Sequence, residues 1–347
     1  MYNNLIVQND LKSILQQNIK FEKFKNKKIL ITGATGMLAS YYMYTLMYLN
    51  DVLHYNIKIY ALVRNNEKLK NITDYEKRKD IIPVIQDVCD AIDIDENLDY
   101  IIHMASSANP STIITNPIGI INANIKGTLN VLECAKRRNA EVIFTSTREV
   151  YGEMNENKKE IKENDMGVLN NLELRSCYPE SKRMAENIIV SYAYQFGIEY
   201  KIARIAHSYG PGMIIENDGR IMSDLIYNVV KGENIVLKSK GEAKRAFCYI
   251  LDATTALLRI TIDENKNQVY NVANEKEEIS IRDLAYLLKE KYKEKNIDVI
   301  FEIKDNNNQY VKFKRTKLNT DKLEKLGWKP IVNLEEGIYR TVNFFDK

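Results

Sequence analysis

Apolar residues in this chain follow two spacings that alternate along its first two thirds. KKILIT, IKIYALV, DIIPVIQD, LDYIIHMA, AEVIFTS and EYKIARI are short, nearly continuous apolar runs rich in Ile and Val, the pattern of strands buried on both faces. Other stretches carry apolar residues three and four apart. One runs from the end of the first strand through roughly Asn50, one covers 116–138, and one runs from about Pro179 to Phe196. Strands alternating with helices predict an α/β fold with a parallel, doubly wound sheet of the Rossmann type. Right-handed crossovers place the strand C-termini on one edge, where ligands bind.

The rhythm changes after about Pro211. Helical segments over 220–231 and 280–293, with short strands near 234–238, 269–272 and 298–303, predict a smaller mixed α/β substrate domain closing over that edge. The expected organisation is a helical extension over 1–27, then a dinucleotide-binding domain over 28–210 to which a segment around 240–262 returns. A mainly substrate-binding domain follows over 211–347. In the extension Leu11, Ile14, Leu15 and Ile19 have helical spacing behind the candidate cap Asp10, which predicts a helix packed on the main body. The charged stretches near 153–165 and 304–308 read as solvated loops.

Composition narrows the function classes. A chain of 347 residues with 45% hydrophobic residues has material for a large core. A net charge of +3 with acids and bases interspersed leaves no nucleic-acid footprint, so no nucleic-acid partner is expected. No apolar run is long enough to span a membrane, and MYNNLIVQNDLKS lacks the basic and apolar blocks of a secretion signal. Cys89, Cys134, Cys177 and Cys248 lie far apart without a CxxC. Reduced thiols in the cytoplasm and no metal site are therefore expected.

Two motifs carry chemistry. ITGATGMLAS sits between the first strand and the first helix of the alternating region. Gly33 permits the tight turn, Gly36 lets the backbone approach a pyrophosphate at a helix N-terminus, and Ala39 stands where a third glycine often packs. Thr35, Met37 and Leu38 complete this candidate cofactor loop. The second strand ends in ALVRNNEK, where NAD enzymes place an acid for the adenosine ribose. Arg64 there pairs with a 2′-phosphate, stacks on adenine, or is simply solvated, so NADP stays open beside NAD. Asp87 and Val88, after the third strand, are placed to meet the adenine. Further on, RSCYPESKRMAEN puts Tyr178 and Lys182 on one helical face. A lysine beside a tyrosine favours the phenolate, which can accept a hydroxyl proton while hydride leaves the same carbon for a nicotinamide.

With these motifs in order, the chain resembles the extended short-chain dehydrogenases/reductases, the nucleotide-sugar epimerase/dehydratase group. The resemblance runs from Lys28 to the C-terminus through TGATG, IIHMAS, NIKGTLNVLECAK, TSTREVYG, YPESK, ARIAHSYGPGM, KRAFCYILD and LNTDKLEKLGW. Within the group, RSCY, DGR and R-FCY look most like the UDP-glucuronate decarboxylases. The resemblance implies NAD or NADP as cofactor, with NAD favoured by the reaction type, and a nucleotide-diphosphate sugar as substrate. It also implies a homodimer through the helices near 116–138 and 179–196, in cytoplasmic polysaccharide synthesis. It gives Thr147 a hydrogen bond to the sugar C4 hydroxyl, makes Tyr178 the base, and has Lys182 bind the nicotinamide ribose. Glu149 falls on the glutamate used by the decarboxylases and 4,6-dehydratases. Met104, Ala105 and Ser106 line the cofactor, with Asn124 and Thr145 near it. Arg245 binds the diphosphate or acts at the sugar, and Arg220 reaches the nucleotide.

Two positions depart from the family pattern. His207 replaces a substrate-contacting asparagine before YGP, so it alters sugar recognition, supplies a proton, or is a satisfied loop histidine. Arg148 stands where the decarboxylases have serine and the 4,6-dehydratases aspartate. An arginine cannot protonate a leaving hydroxyl, which argues against dehydration. It either meets the substrate or points away to a phosphate or loop carboxylate. Decarboxylase-like chemistry and epimerisation after C4 oxidation are the expected reactions. Simple C4 dehydrogenation, 4,6-dehydration and a silent cofactor-binding module are the alternatives.

Overall fold

In the computed structural model, which describes residues 1–303 and 315–346, all six expected apolar runs are strands and a seventh joins them. They are β1 (Lys28–Thr32), β2 (Lys58–Val63), β3 (Ile81–Ile85), β4 (Tyr100–His103), β5 (Glu141–Thr147), β6 (Tyr200–Ile205) and β7 (Gln268–Val272). Every pairing is parallel, in the order β7-β6-β5-β4-β1-β2-β3. The chain therefore winds outward from β1 through β2 and β3, then returns to the other side of β1 with β4. Ile31 sits between Ala61 of β2 and Ile102 of β4, and the strand order reverses there. A crevice opens beyond the C-termini of β1 and β4, the place where such sheets bind ligands.

The strand near 269–272, read from the sequence as part of the smaller unit, is β7 and pairs with β6 through Val272 and Ile205. The helix before it, α5 in the numbering below, packs on β6 and delivers the chain back to the sheet edge. The helices that matter for the site are α1 (Leu5–Leu15), α2 (Met37–Leu53), α3 (Pro117–Arg138), α4 (Cys177–Phe196), α5 (Ile250–Ile262) and α6 (Leu334–Phe345). Helix α2 is buried nearly all round, with Tyr41, Tyr42, Met43, Tyr44, Leu46 and Met47 all at 0% exposure, because it lies between the sheet and both α1 and α5. Asn4 caps α1, accepting from Ile6 N–H at 2.9 Å, while Asp10 turns inward.

Asp10 is the centre of a buried clasp. Its carboxylate accepts from Tyr41 Oη at 3.0 Å, Tyr249 Oη at 2.7 Å and Arg340 Nη1 at 2.6 Å. One side chain thus ties α1 to α2, to the start of α5 and to α6. The sequence pattern gave no sign of α6, nor of the helices Asn66–Thr73 and Pro110–Thr115. The start of α6 is fixed by Asn333, whose side chain accepts from Glu336 N–H. Just upstream, Trp328 Nε1 donates to the Asp252 carbonyl at 2.9 Å, and the Asp252 carboxylate accepts from Ile331 and Val332 N–H.

Short two-stranded ribbons build the side of the crevice facing the sheet. Lys244–Ala246 pairs with Glu278–Ser280, Cys248–Tyr249 with Ser208–Tyr209, and Ile235–Leu237 with Val299–Phe301. The stretch 153–165, expected to be a solvated loop, instead contributes Glu160–Ile161 to a pairing with Lys317–Leu318, and Ile161 is buried. The other expected loop, 304–308, lies outside the described residues. Among the described residues no helix is long and apolar enough to cross a membrane.

Candidate active site

The glycine loop opens the crevice. Gly33 has φ +65, and a Cβ placed on it would lie 2.8 Å from Ala105 Cα, so only glycine lets β1 turn against the chain leaving β4. Gly36 is the N-cap of α2, and Met37 and Leu38 are its first residues. The α2 N-terminus thereby aims unpaired N–H groups and the positive end of a helix dipole into the crevice. Thr35 is half-buried beside them.

Below the loop a hydrogen-bond network fixes the segment 104–106. Thr32 Oγ1 accepts from Met104 N–H and Ala105 N–H, both at 3.1 Å, and meets His103 Nδ1 at 2.8 Å. Thr128 Oγ1 spends its only proton on Asn124 O at 2.5 Å, so it must accept from His103 Nε2 at 3.1 Å. Donor accounting therefore makes His103 neutral, protonated on Nε2 and accepting at Nδ1. Burial agrees, holding its pKa down at about 3 with help from the Lys182 charge. His103 is structural. The Ser106 hydroxyl and the Asn124 amide oxygen are buried and bonded to nothing, though Asn124 Nδ2 does donate to Ser181 Oγ at 2.9 Å. A turn that tolerates only glycine, a helix N-terminus and two orphaned polar atoms fit a dinucleotide.

At the adenosine end, Arg64 and Asp87 meet each other. Their side chains form an ion pair at 3.7 Å, with Arg64 81% exposed. The Cys89 backbone N–H, more than Arg64, holds the Asp87 carboxyl below its usual range. Val88 packs on Gly127 of α3, where a Cβ would come within 2.9 Å of Val88 Cγ1.

The other wall belongs to β5 and α4. Thr147 ends β5, and its Oγ1 accepts from Glu149 N–H at 3.2 Å as the chain enters a 3-10 turn over Arg148–Tyr151. The Thr147 side chain lies close enough to the Tyr178 phenol to act on it. Burial and the Glu149 charge hold the Tyr178 phenol well above its ordinary range, eased by Thr147, Arg175 and Arg220. Lys182 Nζ donates to Thr145 O at 2.8 Å and lies 4.4 Å from the Phe144 ring centroid. A buried ammonium takes the nearest strand-end carbonyl, and desolvation brings its pKa down to about 7. Thr145 Oγ1 donates in turn to His103 O at 3.2 Å.

Three arginines have partners that the sequence did not show. Arg175 grips Glu149 in a bidentate pair, Nη1 to Oε2 at 2.6 Å and Nη2 to Oε1 at 3.1 Å. Arg220 is held by Asp218, which also accepts from Asn109 Nδ2 at 2.7 Å and Ser223 Oγ at 2.8 Å. That clamp sets Arg220 among the charges acting on Tyr178. Arg148 turns to the C-terminal segment, donating from Nη2 to Thr316 O at 3.2 Å. Beside it Arg315 is paired with Glu275 and Glu278. Arg245 lies on the ribbon strand next to the one carrying Glu278. His207, at φ +43, has a buried Nε2 without a partner, and burial together with Arg148, Arg245 and Arg315 drives its pKa well down. It is thus a neutral imidazole among guanidiniums. Only RSCY hinted at Arg175, and nothing local marked Arg315 or Asp218.

A surface cavity of ≈ 440 Å³ lies elsewhere, lined by Asn50, His54, Arg78 and Asp80 at the C-terminal end of α2. Its Arg78 is paired with Asp51 and Asp80, and none of the candidate site residues lines it.

Residues 29–273 match the model of the NAD dependent epimerase/dehydratase family, and the chain belongs to that family. It is therefore an enzyme of a family whose cofactor is NAD. The chain is 33% identical over 333 residues to UDP-glucuronic acid decarboxylase 1 of Xenopus tropicalis, covering 95% of this chain and 75% of the relative. UDP-glucuronic acid decarboxylase 6 of Arabidopsis thaliana is likewise 33% identical, covering 93% of this chain and 89% of the relative. In fold it is similar to the UDP-N-acetylglucosamine 4-epimerase of Methanobrevibacter ruminantium, with a TM-score of 0.77 at 23% identity, covering 92% of this chain and 98% of that one.

Proposed function

We propose that this protein oxidises C4 of a sugar carried on a nucleoside diphosphate and then completes a decarboxylase-like reaction. The observation that carries this is the nearness of Thr147, at the end of β5, to the buried Tyr178 phenol, in a chain 33% identical to UDP-glucuronic acid decarboxylases. Bound NAD supplies the hydride acceptor. Gly33, Thr35, Gly36, Met37, Leu38 and the segment Met104–Ser106 would hold its pyrophosphate and nicotinamide side. Arg64, Asp87 and Val88 would meet its adenosine, and Asn124, Thr145 and Lys182 its nicotinamide ribose. Tyr178 acts as the base that takes the proton from the sugar C4 hydroxyl, and Thr147 orients that hydroxyl. Glu149 is held oriented by Arg175, while Arg220 and Arg245 bind the nucleotide diphosphate.

Oxidation leaves a ketone at C4. Where C5 carries a carboxylate, the C5–C6 bond breaks to release CO2, its electron pair passes to the ketone oxygen as an enolate, C5 is reprotonated, and C4 regains its hydride and a proton, so that the product differs from the substrate by CO2 alone. Epimerisation at C4 is the second reading, favoured by Arg148. A guanidinium that grips a substrate carboxylate stabilises the ground state more than a transition state in which that charge disperses. No acid stands at position 148 to protonate a leaving hydroxyl, which counts against dehydration.

We also place the enzyme in the cytoplasm, supported by four free cysteines, as a homodimer in polysaccharide synthesis. Exposed Ile118 on α3, with Met184, Val190 and Tyr194 on α4, supports a two-helix dimer face. The domain limits we propose are 1–27, 28–210 and 211–347, with α5 and β7 returning to the first sheet.

The test is mass spectrometry of products from a panel of nucleotide sugars, with Tyr178→Phe alongside. Decarboxylation removes about 44 mass units, dehydration about 18, and epimerisation none. Tyr178→Phe should bind NAD normally and turn over about 100-fold to 10,000-fold more slowly. Full activity in that variant would sink the mechanism.

A further inference from the structure

Lys182 is 3% exposed, and the carboxylate that acts on its charge lies one turn further along α4, at Glu186. Residues four apart on a helix share a face, with Cβ atoms about 5–6 Å apart. Strand β5 grips the two in succession. The Thr145 carbonyl accepts from Lys182 Nζ at 2.8 Å, and the hydroxyl of the next residue, Ser146, donates to Glu186 Oε1 at 2.5 Å. The Thr145 carbonyl and the Ser146 N–H belong to one rigid peptide plane, so holding Ser146 restrains the carbonyl on which Lys182 rests.

Glu186 is itself held in one orientation. Arg204, on β6, takes it in a fork, Nε to Oε1 at 3.0 Å and Nη2 to Oε2 at 2.6 Å. The remaining arm of that guanidinium donates from Nη1 to Glu163 O at 2.8 Å, and its carbon lies 4.8 Å from the Tyr151 ring centroid. Both Glu186 oxygens are satisfied, and a buried network with every member bonded has a single arrangement. A brace between α4 and β6 needs only the ion pair. The neighbouring ammonium gives the carboxylate a second effect: burial brings the Lys182 pKa down to about 7, and the Glu186 charge opposes that fall. The other groups around the pair bring no negative charge. His103 of β4 is neutral, and burial pushes the phenols of Tyr178, Tyr151 and Tyr200 above their ordinary range. An ammonium has three donors; with one on Thr145 O, two remain for the hydroxyls of a ribose.

We propose that Glu186, fixed by Ser146 and Arg204, is a positioning residue of the active site, keeping Lys182 an ammonium on the Thr145 carbonyl with two donors free for the nicotinamide ribose. The proposal rests on the reading of Lys182 as the lysine that binds that ribose. Without the carboxylate, desolvation of the ammonium goes unopposed and Lys182 gives up its proton at a lower pH. At low pH Lys182 is charged with or without Glu186. At higher pH a chain lacking the carboxylate has the smaller charged fraction, so its cofactor affinity falls further.

The experiment is an NMR pH titration of the full chain carrying carbon-13 at lysine Cε, with Lys182→Met to assign the resonance, joined to calorimetric titration with NAD. In wild type the Lys182 midpoint should lie at about 7. In Glu186→Gln it should fall by at least about half a pH unit. That variant should then bind NAD within about twofold of wild type at about pH 6 and at least about threefold more weakly at about pH 8. Glu186→Asp keeps the charge and should recover part of both changes. If melting curves show that Glu186→Gln does not fold, the double variant Glu186→Gln, Arg204→Gln leaves no buried guanidinium without its partner and carries the same prediction. An unmoved midpoint, or equal NAD losses at both pH values, would reduce Glu186 to a brace between helix and sheet and overturn the proposal. Wild-type NAD affinity in Lys182→Met would instead remove Lys182 from the cofactor site, a distinguishable failure of the reading beneath it.

Discussion

Replacing Asp10 by alanine tests how far the N-terminal helix belongs to the enzyme body. Asp10 is fully buried and accepts three hydrogen bonds, from Tyr41 at 3.0 Å, Tyr249 at 2.7 Å and Arg340 at 2.6 Å. Alanine leaves two buried tyrosine hydroxyls without an acceptor and removes one of two acids from Arg340, which keeps Glu336 at 2.7 Å. Losing one partner of a buried, hydrogen-bonded charge costs about 3–5 kcal/mol, and the retained Glu336 contact puts this case near the lower end. At about 2.1 cal/mol/K per residue, unfolding 347 residues carries roughly 0.7 kcal/mol/K. A loss of about 3 kcal/mol then lowers Tm by about 4 °C.

Asp10→Asn should cost distinctly less. Burial already raises the Asp10 carboxyl pKa despite its three donors, so part of the favourable arrangement survives without the charge. Pairing Asp10→Leu with Arg340→Met should recover much of the loss, because apolar residues of similar volume replace buried ion pairs at little cost. Differential scanning fluorimetry at fixed pH and scan rate reads all four proteins. A shift under about 1 °C for Asp10→Ala, or equal shifts for the alanine and asparagine variants, would refute the clasp.

Two further outcomes follow from single sites. Gly33→Ala should weaken NAD binding at least about tenfold in calorimetry, since φ +65 and a 2.8 Å approach to Ala105 Cα force the loop to move. Gly197→Ala, at φ +72 with open space around it, should bind NAD normally and lose only stability; equal NAD binding by both variants would contradict the cradle. His103 gives a pH signature. Its folded pKa, about 3, lies below the unfolded value near 6.5, so its contribution is present above that value. Below it the unfolded chain takes up the proton and the contribution falls by about 1.4 kcal/mol per pH unit. The stability gap between wild type and His103→Gln should therefore narrow as pH drops from about 7 to about 5, and a constant gap across that range would rule the assignment out.

Much of the sheet and one edge of the site were readable from the chain alone, because they rest on local rules. Short continuous apolar runs and period-3.6 spacing placed six strands and the long helices, and Gly33 announced a turn that other residues cannot make. Tyr178 and Lys182 share a face because they lie four apart on a helix. What those residues touch was not readable. Lys182 turned to the Thr145 carbonyl because a buried ammonium needs an acceptor, and the strand supplied one. Arg64 and Asp87, each considered alone for the adenosine, lie close enough to form a pair. Glu149 stood out as a candidate, yet its orientation depends on Arg175, 26 residues on.

The sequence by itself determined a doubly wound sheet, a dinucleotide loop at its first turn and the residue types of the chemistry. Backbone preference and hydrophobic period act over a few residues and survive without knowledge of the fold. Tertiary structure alone decided the rest. It returned β7 to the sheet, joined Asp10 to Arg340 across 330 residues, and brought Arg148 to Thr316 beside Arg245, Arg315 and His207. Charges and hydrogen bonds find partners by distance in space. That distance is set only when helices and strands pack, and it is why the arginine in TSTREVYG turns to a carbonyl 168 residues away.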